Sequence, residues 1–436
     1  MMTDAGELYK SKLMSVEDAV ARLPKTGALW LHHNVMEPKA LLREIVNQRE
    51  RFDRLRVFHM LRLGGVDITE PGYEQYFIDN PLFCGSNARL AVAEGRADYT
   101  PAFLHEVPKL IRTGRVPCDA AVIQVSTPDK NGYCSLGASI DYTLQAARTA
   151  GTVIAQVNNN APRIFGETFM HVSEFDYIVE EDDELYAITP PSIGDEEKAI
   201  GANCASLIDD GCTLQLGIGG IPDAVILFLD SKKDLGIHSE MISDGTLELV
   251  EKGVINNSRK SENRGKITVT FLMGTKHLYE FSDNNPAIEA RPSDYVNHPV
   301  TIMRQHKPVA INAAIEVDLF GQVVAEAIGL RQFSGTGGQV DFVRGCAMAE
   351  DGKAIIAMPS STLKKDGTRL SKIVPFVAQG AAVTTPRTDV DYVVTEQGVA
   401  ELKGKSLRQR AKALIEIAHP DFRGDLRAEY NKRFID

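Results

Sequence analysis

Short apolar runs alternate with helical patterns along almost the whole chain, and this rhythm constrains the fold more than any other feature of the sequence. Strands are predicted at 28–31, 55–63, 120–125, 153–157, 213–216, 267–272, 309–313, 354–358 and 391–394. Helices are predicted at 38–51, 88–94, 142–150, 196–208 and 407–418. Because such alternation builds strand–helix–strand units, we expect α/β architecture with parallel sheets covered by helices.

The chain is too long for one compact core, since 436 residues exceed the usual size of a single domain. Two similar segments, Asp-Tyr-Ile-Val-Glu from Asp176 and Asp-Tyr-Val-Val-Thr-Glu from Asp391, hint at two related halves. A boundary fits best at Pro190 and Pro191, where both periodicities stop. The sequence therefore predicts an N-terminal α/β domain at 1–190 and a C-terminal one at 191–436.

Charge and composition exclude several classes of function. The net charge of −11 weighs against binding of nucleic acid, which needs a positive face. No apolar stretch approaches the roughly 20 residues of a membrane span, and the N-terminus has no apolar signal core. The six cysteines show neither a C-x-x-C pair nor histidines at zinc-ligand spacing, so we expect reduced, structural thiols and no metal. A cytoplasmic protein without a membrane partner is expected.

Two glycine-rich loops are candidates for binding an anionic group. The first, Gly-Ile-Gly-Gly-Ile-Pro from Gly217, joins a predicted strand to a segment whose Pro222 suits a first helical turn. The second runs from Ser334 through Gly338 to Phe342. Glycines let backbone amides approach a ligand, and a helix N-terminus favours negative charge. The alternative is that both loops only allow close packing of strands and helices.

Other side chains have a functional and a structural interpretation. Glu240 lies in a weakly charged segment before a Ser-Asp-Gly turn, where a carboxylate could be catalytic or a surface residue. Lys365 belongs to a Lys-Asp-Gly-Thr hairpin turn and could meet a phosphate or be solvated. His33 and Met60 lie at or near predicted strand ends, where ligands collect in α/β sheets but where packing is also common.

Taken together and in this order, the motifs resemble those of the acetyl-CoA hydrolase/transferase family. They point to its group of 4-hydroxybutyrate CoA-transferases and butyryl-CoA:acetate CoA-transferases. The similarity covers nearly the whole chain. It rests on the first glycine loop, the His-Ser-Glu-Met-Ile-Ser-Asp-Gly segment from His238, the Gly-Thr-Gly-Gly-Gln-Val-Asp-Phe segment from Gly335, and Val-Thr-Glu-Gln-Gly-Val-Ala from Val394.

The resemblance implies roles for individual residues. Glu240 would be the nucleophile. Contacts with coenzyme A would come from the glycine loops and two further positions, namely Gly217, Ile218, Gly219, Gly220, Ile221, Ile315, Gly338 and Lys365. Three residues would face the acyl pocket and set specificity: His33, Met60 and Gln215. The implied fold is two doubly wound α/β domains of CoA-transferase type with the active site in the cleft between them, and the implied assembly is a homodimer.

The expected function is transfer of coenzyme A between short-chain carboxylic acids, such as 4-hydroxybutyrate or butyrate and acetate. The mechanism would be ping-pong through a glutamyl-CoA thioester on Glu240. Coenzyme A would then be substrate and covalent intermediate, with no prosthetic group. The family also contains acetyl-CoA hydrolases, so hydrolysis is the nearest alternative. A non-catalytic CoA-binding sensor is the alternative from another class, and the identity of the acid stays open.

Overall fold

The computed structural model describes residues 5–64, 66–217 and 219–435, and it divides into two compact units. The first unit comprises the chain up to Thr189 together with the segment Thr268–Val296, and the second comprises Pro190–Ile267 and Asn297 to the C-terminus. The expected boundary at Pro190 differs from this division in one respect. The chain returns to the first unit for 29 residues before it completes the second, which no local change in periodicity marks.

The first unit is built on a parallel sheet. Its strands before residue 190 are β1 (Ala28–Leu31), β2 (Leu55–His59), β3 (Phe77–Pro81), β4 (Ala120–Val125), β5 (Tyr133–Ser135), β6 (Thr152–Val157), β7 (Phe169–His171) and β8 (Tyr177–Glu180). Its helices there are α1 (Ala5–Lys12), α2 (Val16–Val20), α3 (Lys39–Asn47), α4 (Arg89–Ala93), α5 (Val107–Arg112) and α6 (Thr143–Thr149). Six strands pair in the order β3-β2-β1-β4-β6-β8, all parallel. The order runs outward in both directions from β1 and β4, which makes the sheet doubly wound.

Side chains of β1 alternate between two cores, which explains its uninterrupted apolar sequence. Leu29 and Leu31 enter a cluster with residues of α2 and α3. Ala28 and Trp30 enter a second cluster with residues of α5 and α6. Because successive strand residues point to opposite faces, a strand buried on both sides must be apolar throughout.

The second unit begins with α7 (Asp195–Ala205), β9 (Thr213–Leu216), α8 (Gly220–Ile226), β10 (Gly236–Ile237), β11 (Met241–Ile242) and α9 (Asp244–Glu251). The chain then returns to the first unit, where the segment Thr268–Val296 contains nearly all of β12 (Ile267–Val269) together with β13 (Phe271–Leu272), α10 (Lys276–Ser282), β14 (Ile288–Ala290) and α11 (Ser293–Val296). The remaining strands are β15 (Pro308–Ala313), β16 (Glu316–Asp318), β17 (Val323–Val324), β18 (Ala327–Ile328), β19 (Arg331–Gln332), β20 (Lys353–Ala357), β21 (Ser361–Leu363), β22 (Arg369–Ser371), β23 (Ile373–Val374), β24 (Tyr392–Thr395) and β25 (Gly398–Glu401). The remaining helices are α12 (Pro299–Met303), α13 (Gln339–Met348), α14 (Leu407–Glu416) and α15 (Pro420–Arg433).

A second mainly parallel sheet organises this unit. Strands β9, β15, β20 and β24 lie side by side and parallel, and β25 closes one edge antiparallel to β24. At the other end, β10 and β11 both pair with β9. The expectation of two α/β domains with substantial parallel pairing is thus confirmed.

The sequence echo at Asp176 and Asp391 corresponds to equivalent strands. Each segment forms the last parallel strand at one end of its sheet, β8 after β6 in one unit and β24 after β20 in the other. Asp176 accepts a hydrogen bond from the backbone N–H of Val153 at 2.8 Å, and Asp391 accepts one from Ala354 at 3.4 Å. Both aspartates therefore bind the beginning of the preceding strand in the same way.

Candidate active site

Glu240 lies at a sharp bend of the chain beside the end of β9. Strand β10 is parallel to β9, whereas β11, only four residues later, is antiparallel to the same strand. Ser239 holds the bend, because its hydroxyl donates to the carbonyl of Leu216 at 3.1 Å and accepts from the Leu216 N–H at 3.3 Å. The bend places Glu240 at the carboxyl end of β9, the edge where ligands bind in parallel sheets.

Two residues distant in sequence meet the Glu240 carboxylate. The side-chain amide of Asn297 donates a hydrogen bond to Oε2 at 2.9 Å. Gly338 lies so close that a Cβ at this position would overlap with Oε2 and stand 3.2 Å from Cδ of Glu240. Only glycine leaves room for the carboxylate where it stands.

Gly338 precedes α13, a helix of ten residues, so the carboxylate lies at a helix N-terminus. The helix start is anchored by Gln339, whose amide donates to the carbonyl of Ala313 at 2.7 Å and accepts from the hydroxyl of Thr385 at 3.2 Å. The partial positive charge of a helix N-terminus favours a negative group beside it. Together with the Asn297 amide, it stabilises the carboxylate of Glu240 as an anion.

The first glycine loop connects β9 to α8, as its sequence predicts. Gly219 has φ of +115°, a conformation that L side chains rarely adopt, and a Cβ there would meet open space. Pro222 lies in the first turn of α8. Gly217, Gly220 and Ile221 are half-buried, and Ile218 lies outside the described residues.

The two other residues expected to contact coenzyme A lie in the second unit. Ile315 is half-buried between β15 and β16, and its N–H donates to the carbonyl of Val324 at 2.8 Å. Lys365 is exposed in the turn between β21 and β22, an antiparallel hairpin that confirms the turn predicted from Lys-Asp-Gly-Thr. Gln215 is buried within β9 and accepts a hydrogen bond from the amide of Asn312 at 3.1 Å.

His33 and Met60 lie in the first unit. His33 directly follows His32 after β1 and is paired through Nε2 with the buried carboxylate of Asp141. The hydroxyl of Ser139 donates to the same carboxylate at 3.0 Å. Burial opposes ionisation of Asp141, but the His33 imidazole and the Tyr142 backbone N–H outweigh it and hold the pKa below its ordinary value.

The two residues expected to face the acyl pocket differ in their surroundings, and both are almost fully buried. Nδ1 of His33 has no partner among the described residues, which leaves one polar atom available to a ligand. Met60 belongs to the buried cluster that contains Trp30, Phe58 and Leu82. Its side chain thus has a packing role in this structure, and its part in specificity stays a prediction.

Asn297 is the site residue that sequence reasoning missed. It is fully buried, 57 positions beyond Glu240, just before the N-cap of α12. No motif at Asn297 marks it, since an asparagine before a helix is ordinary capping sequence. Only the fold brings it to the carboxylate.

Within residues 5–64, 66–217 and 219–435, no set of three or more His, Cys, Asp or Glu side chains is arranged to hold a metal ion. Within the same ranges, each helix is too short or too polar to cross a membrane. All six cysteines are free thiols.

The chain is similar to known proteins in both sequence and structure. Residues 2–190 match the family model described as the acetyl-CoA hydrolase/transferase N-terminal domain, and residues 274–430 match that of the C-terminal domain. The 4-hydroxybutyrate coenzyme A transferase of Clostridium kluyveri is 55% identical over 98% of this chain and 99% of its own. The succinyl-CoA:cyclohexane-1-carboxylate CoA transferase of Geobacter metallireducens is 44% identical over 96% of this chain and 94% of its own. The crystal structure of a 4-hydroxybutyrate CoA-transferase from Porphyromonas gingivalis superposes with a TM-score of 0.84 at 42% identity, covering 98% of this chain and all of that one.

Proposed function

The chain belongs to the acetyl-CoA hydrolase/transferase family, and on that premise we propose that it transfers coenzyme A from an acyl-CoA to a carboxylic acid through Glu240. One observation supports this role more than any other. The Glu240 carboxylate accepts a hydrogen bond from Asn297 and lies against Gly338 at the start of α13. A carboxylate held in this way is an oriented anion, as nucleophilic catalysis requires.

The proposed chemistry uses two acyl exchanges and consumes no proton. A carboxylate oxygen of Glu240 attacks the carbonyl carbon of the acyl-CoA, and the carbon–sulfur bond breaks. The products of this step are a mixed anhydride between Glu240 and the acyl group, and the free CoA thiolate. The thiolate then attacks the glutamyl carbonyl carbon, and the first acid leaves as its carboxylate. A second acid reverses these steps from the glutamyl-CoA thioester. The thioester free energy is preserved throughout, so ATP is unnecessary.

Each exchange passes through an oxyanion that needs hydrogen-bond donors. The amide of Asn297 already donates to Oε2 of Glu240, and the same donor can stabilise the negative charge that develops on this oxygen when the thiolate attacks. Loss of one preorganised donor of this kind typically costs about 3 to 4 kcal/mol of barrier. Asn297 is therefore proposed to act in catalysis beside Glu240.

Contacts with coenzyme A are proposed for Gly217, Ile218, Gly219, Gly220 and Ile221, and for Ile315, Gly338 and Lys365. The open space around Gly219 supports the first group, because a ligand can approach the backbone there. Lys365 offers a solvated ammonium in a protein of net charge −11, where a phosphate needs a local cation.

The proposed acids are short-chain carboxylates, with 4-hydroxybutyrate or butyrate as one partner and acetate as the other. His33, Met60 and Gln215 are proposed to set the preference among them. Nδ1 of His33, which has no partner in the described part of the chain, supports a polar substrate, since this atom could pair with a hydroxyl group. A panel of acids assayed with one acyl-CoA donor gives the order of preference directly.

Hydrolysis is the second candidate, because the family description includes acetyl-CoA hydrolases. The two activities separate in one assay, in which loss of acyl-CoA is followed with and without an added acid. Loss that depends on the acid supports transfer, whereas equal loss without it supports hydrolysis. A protein that binds coenzyme A but exchanges no label between acetate and acyl-CoA would be a sensor.

Intact mass spectrometry after mixing with acyl-CoA tests the covalent step, and peptide mapping locates it. We expect the mass of coenzyme A less one water on the peptide that contains Glu240. The exposed Glu248, eight residues away on α9, provides a matched control, because Glu248→Gln should form the same adduct. An unmodified protein during turnover would reject the glutamyl-CoA mechanism.

A homodimer and a cytoplasmic location are proposed on the resemblance and on the sequence. Light scattering coupled to size-exclusion chromatography measures the assembly state. Fractionation of the native host, followed by immunodetection, measures the location.

A further inference from the structure

Strand β10 leads directly to Glu240, and its outer edge is held by side chains instead of by another strand. The N–H group of Gly236 donates to the carbonyl of Cys212, just before β9, at 2.9 Å, and the N–H group of His238 donates to the carbonyl of Leu214 in β9 at 3.2 Å. The N–H and C=O of Ile237, which lies between them, point to the opposite side, as strand geometry requires. These two groups need other partners because Ile237 is buried.

Asn257 and Lys260 supply those partners. The Ile237 N–H donates to Oδ1 of Asn257 at 2.9 Å, and the Lys260 ammonium donates to the Ile237 carbonyl at 2.7 Å. The same ammonium also donates to the carbonyl of Lys266 at 2.7 Å, which closes the loop on itself. Both backbone groups of one residue are thus held by one short loop.

Burial makes this arrangement unusual for a lysine. Lys260 is 3% exposed and Asn257 is 5% exposed, although lysine is among the residues that proteins bury least. The aliphatic stem of Lys260 passes directly over Gly236, where a Cβ would stand 2.6 Å from Cγ. Burial of an ammonium group costs free energy unless hydrogen bonds replace those that it made with water. The position of this ammonium at the Ile237 carbonyl therefore requires a structural explanation.

The path of the neighbouring chain supplies that reason. At Leu235 the segment 254–257 pairs with the edge as a strand would, through hydrogen bonds between Leu235 and the backbones of Val254, Asn256 and Asn257. Beyond Asn257, whose φ is +58°, this segment turns away. A straight strand paired with the outer edge of β10 could not follow the bend of the chain between Ile237 and Met241. Side chains can bind the backbone groups of Ile237 and so end the strand pairing at this bend.

We propose that Asn257 and Lys260 are positioning residues that fix the bend carrying Glu240, and this proposal rests on Glu240 being the nucleophile. The two side chains form hydrogen bonds with the backbone of Ile237 on the side that faces away from β9. On the other side, the hydroxyl of Ser239 joins the bend to Leu216 of β9. Glu240 is three residues beyond Ile237, so a shift of the strand end moves its carboxylate relative to Asn297 and Gly338. A displacement near 1 Å at a reacting group can cost about a hundredfold in rate.

The test compares two substitutions at Asn257 in the full-length protein. Asn257→Gly keeps the positive φ but removes the acceptor, and we expect kcat to fall about tenfold or more with KM for acyl-CoA within about twofold. Asn257→Asp keeps an oxygen at the Oδ1 position and should retain kcat within about threefold. Lys260→Met should lower kcat as Asn257→Gly does, while Lys252→Met, at an exposed ion pair with Asp230, should leave kcat unchanged.

The outcomes separate the two proposals. Wild-type kcat in Asn257→Gly, or equal losses in Asn257→Gly and Asn257→Asp, would overturn the positioning role. If Lys260→Met fails to fold, the Asn257 pair still decides the question. If the wild-type protein itself forms no glutamyl-CoA adduct, it is the proposed function that fails.

Discussion

Gly338 lies directly against the carboxylate of Glu240, although 98 positions separate the two residues in sequence. A Cβ at position 338 would also overlap with the amide of Asn297, which donates to the same carboxylate. The absence of a side chain at one residue therefore determines where the reactive group of another can stand.

Gly338→Ala should lower kcat by about a hundredfold, because the added methyl group must displace the Glu240 carboxylate or its Asn297 donor. Gly424→Ala provides a matched control, since a Cβ there meets nothing within 4 Å on the surface of α15. That variant should keep full activity and gain about 0.5 to 1 kcal/mol of stability. Steady-state kinetics and thermal unfolding of both variants check the prediction. Wild-type kcat in Gly338→Ala would contradict it.

Asn297→Ala should lower kcat by about a hundredfold to a thousandfold, the usual loss when one preorganised donor is removed. Asn297→Asp is nearly isosteric but places a second carboxylate beside Glu240, so it should be at least as inactive at neutral pH. A carboxyl group at position 297 can donate to Glu240 only when it is protonated, so the activity of this variant should appear at lower pH than that of the wild type. A pH profile of kcat for both variants distinguishes loss of the donor from added charge. Equal profiles for Asn297→Asp and the wild type would argue against the contact.

Glu240→Asp and Glu240→Ala should both nearly abolish transfer while the fold stays intact. Aspartate shortens the side chain by one methylene and withdraws the carboxylate from the Asn297 amide. A displacement of this size can lower the rate by about a hundredfold. Acceptor-dependent loss of acyl-CoA measures the activity, and circular dichroism with thermal unfolding measures the fold. Normal turnover by either variant would reject Glu240 as the nucleophile.

His32 should make the protein less stable as pH falls from about 6.5 to about 4. Burial lowers the pKa of His32 to about 4. The Asp141 carboxylate acts in the opposite direction and raises this pKa, whereas the neighbouring His33 lowers it further. The ring is neutral here, with Nε2 donating to the Ser139 carbonyl and Nδ1 accepting from the Gln124 N–H. The unfolded chain therefore binds a proton in this range that the folded chain does not, and the full loss amounts to about 3 kcal/mol.

The variant His32→Gln cannot take up this proton, so its stability should depend less steeply on pH between about 6.5 and 4. Midpoints of thermal unfolding for the variant and the wild type, measured at several pH values, give the two slopes. The slope of the unfolding midpoint against pH is the quantity to compare. The midpoints themselves do not decide the question, because the substitution also lowers stability at every pH. Identical slopes would show that another group titrates.

His33→Gln should reduce the preference for 4-hydroxybutyrate over butyrate, measured as the ratio of their kcat/KM values, by about tenfold or more. Nδ1 of His33 lacks a partner among the residues that the structure describes, and it is the proposed partner of the substrate hydroxyl. Loss of a hydrogen bond to that hydroxyl strongly changes the discrimination between the two acids. Glutamine can still donate to Asp141, which limits the structural damage. An unchanged ratio with lower thermal stability would assign His33 to packing alone.

Much of the fold follows from local sequence patterns. The predicted strands at 28–31, 120–125 and 213–216 have the observed bounds, because a strand buried on both faces must be apolar from end to end. The strand predicted at 55–63 ends earlier, at His59. The helix predicted at 38–51 is α3 followed by a single 3-10 turn. Comparison with known proteins confirms the family resemblance drawn from the motifs.

The sequence by itself determined the α/β rhythm, the glycine loops, the hairpin at Lys365 and the family, since each depends on residues close together in the chain. The tertiary structure alone decided that Asn297 and Gly338 meet Glu240, that Thr268–Val296 belongs to the first unit, and that Lys260 is buried at Ile237. These facts depend on contacts between segments tens of residues apart. No local periodicity records such contacts, because hydrophobic patterns specify which face of an element is buried but not which distant residue it meets.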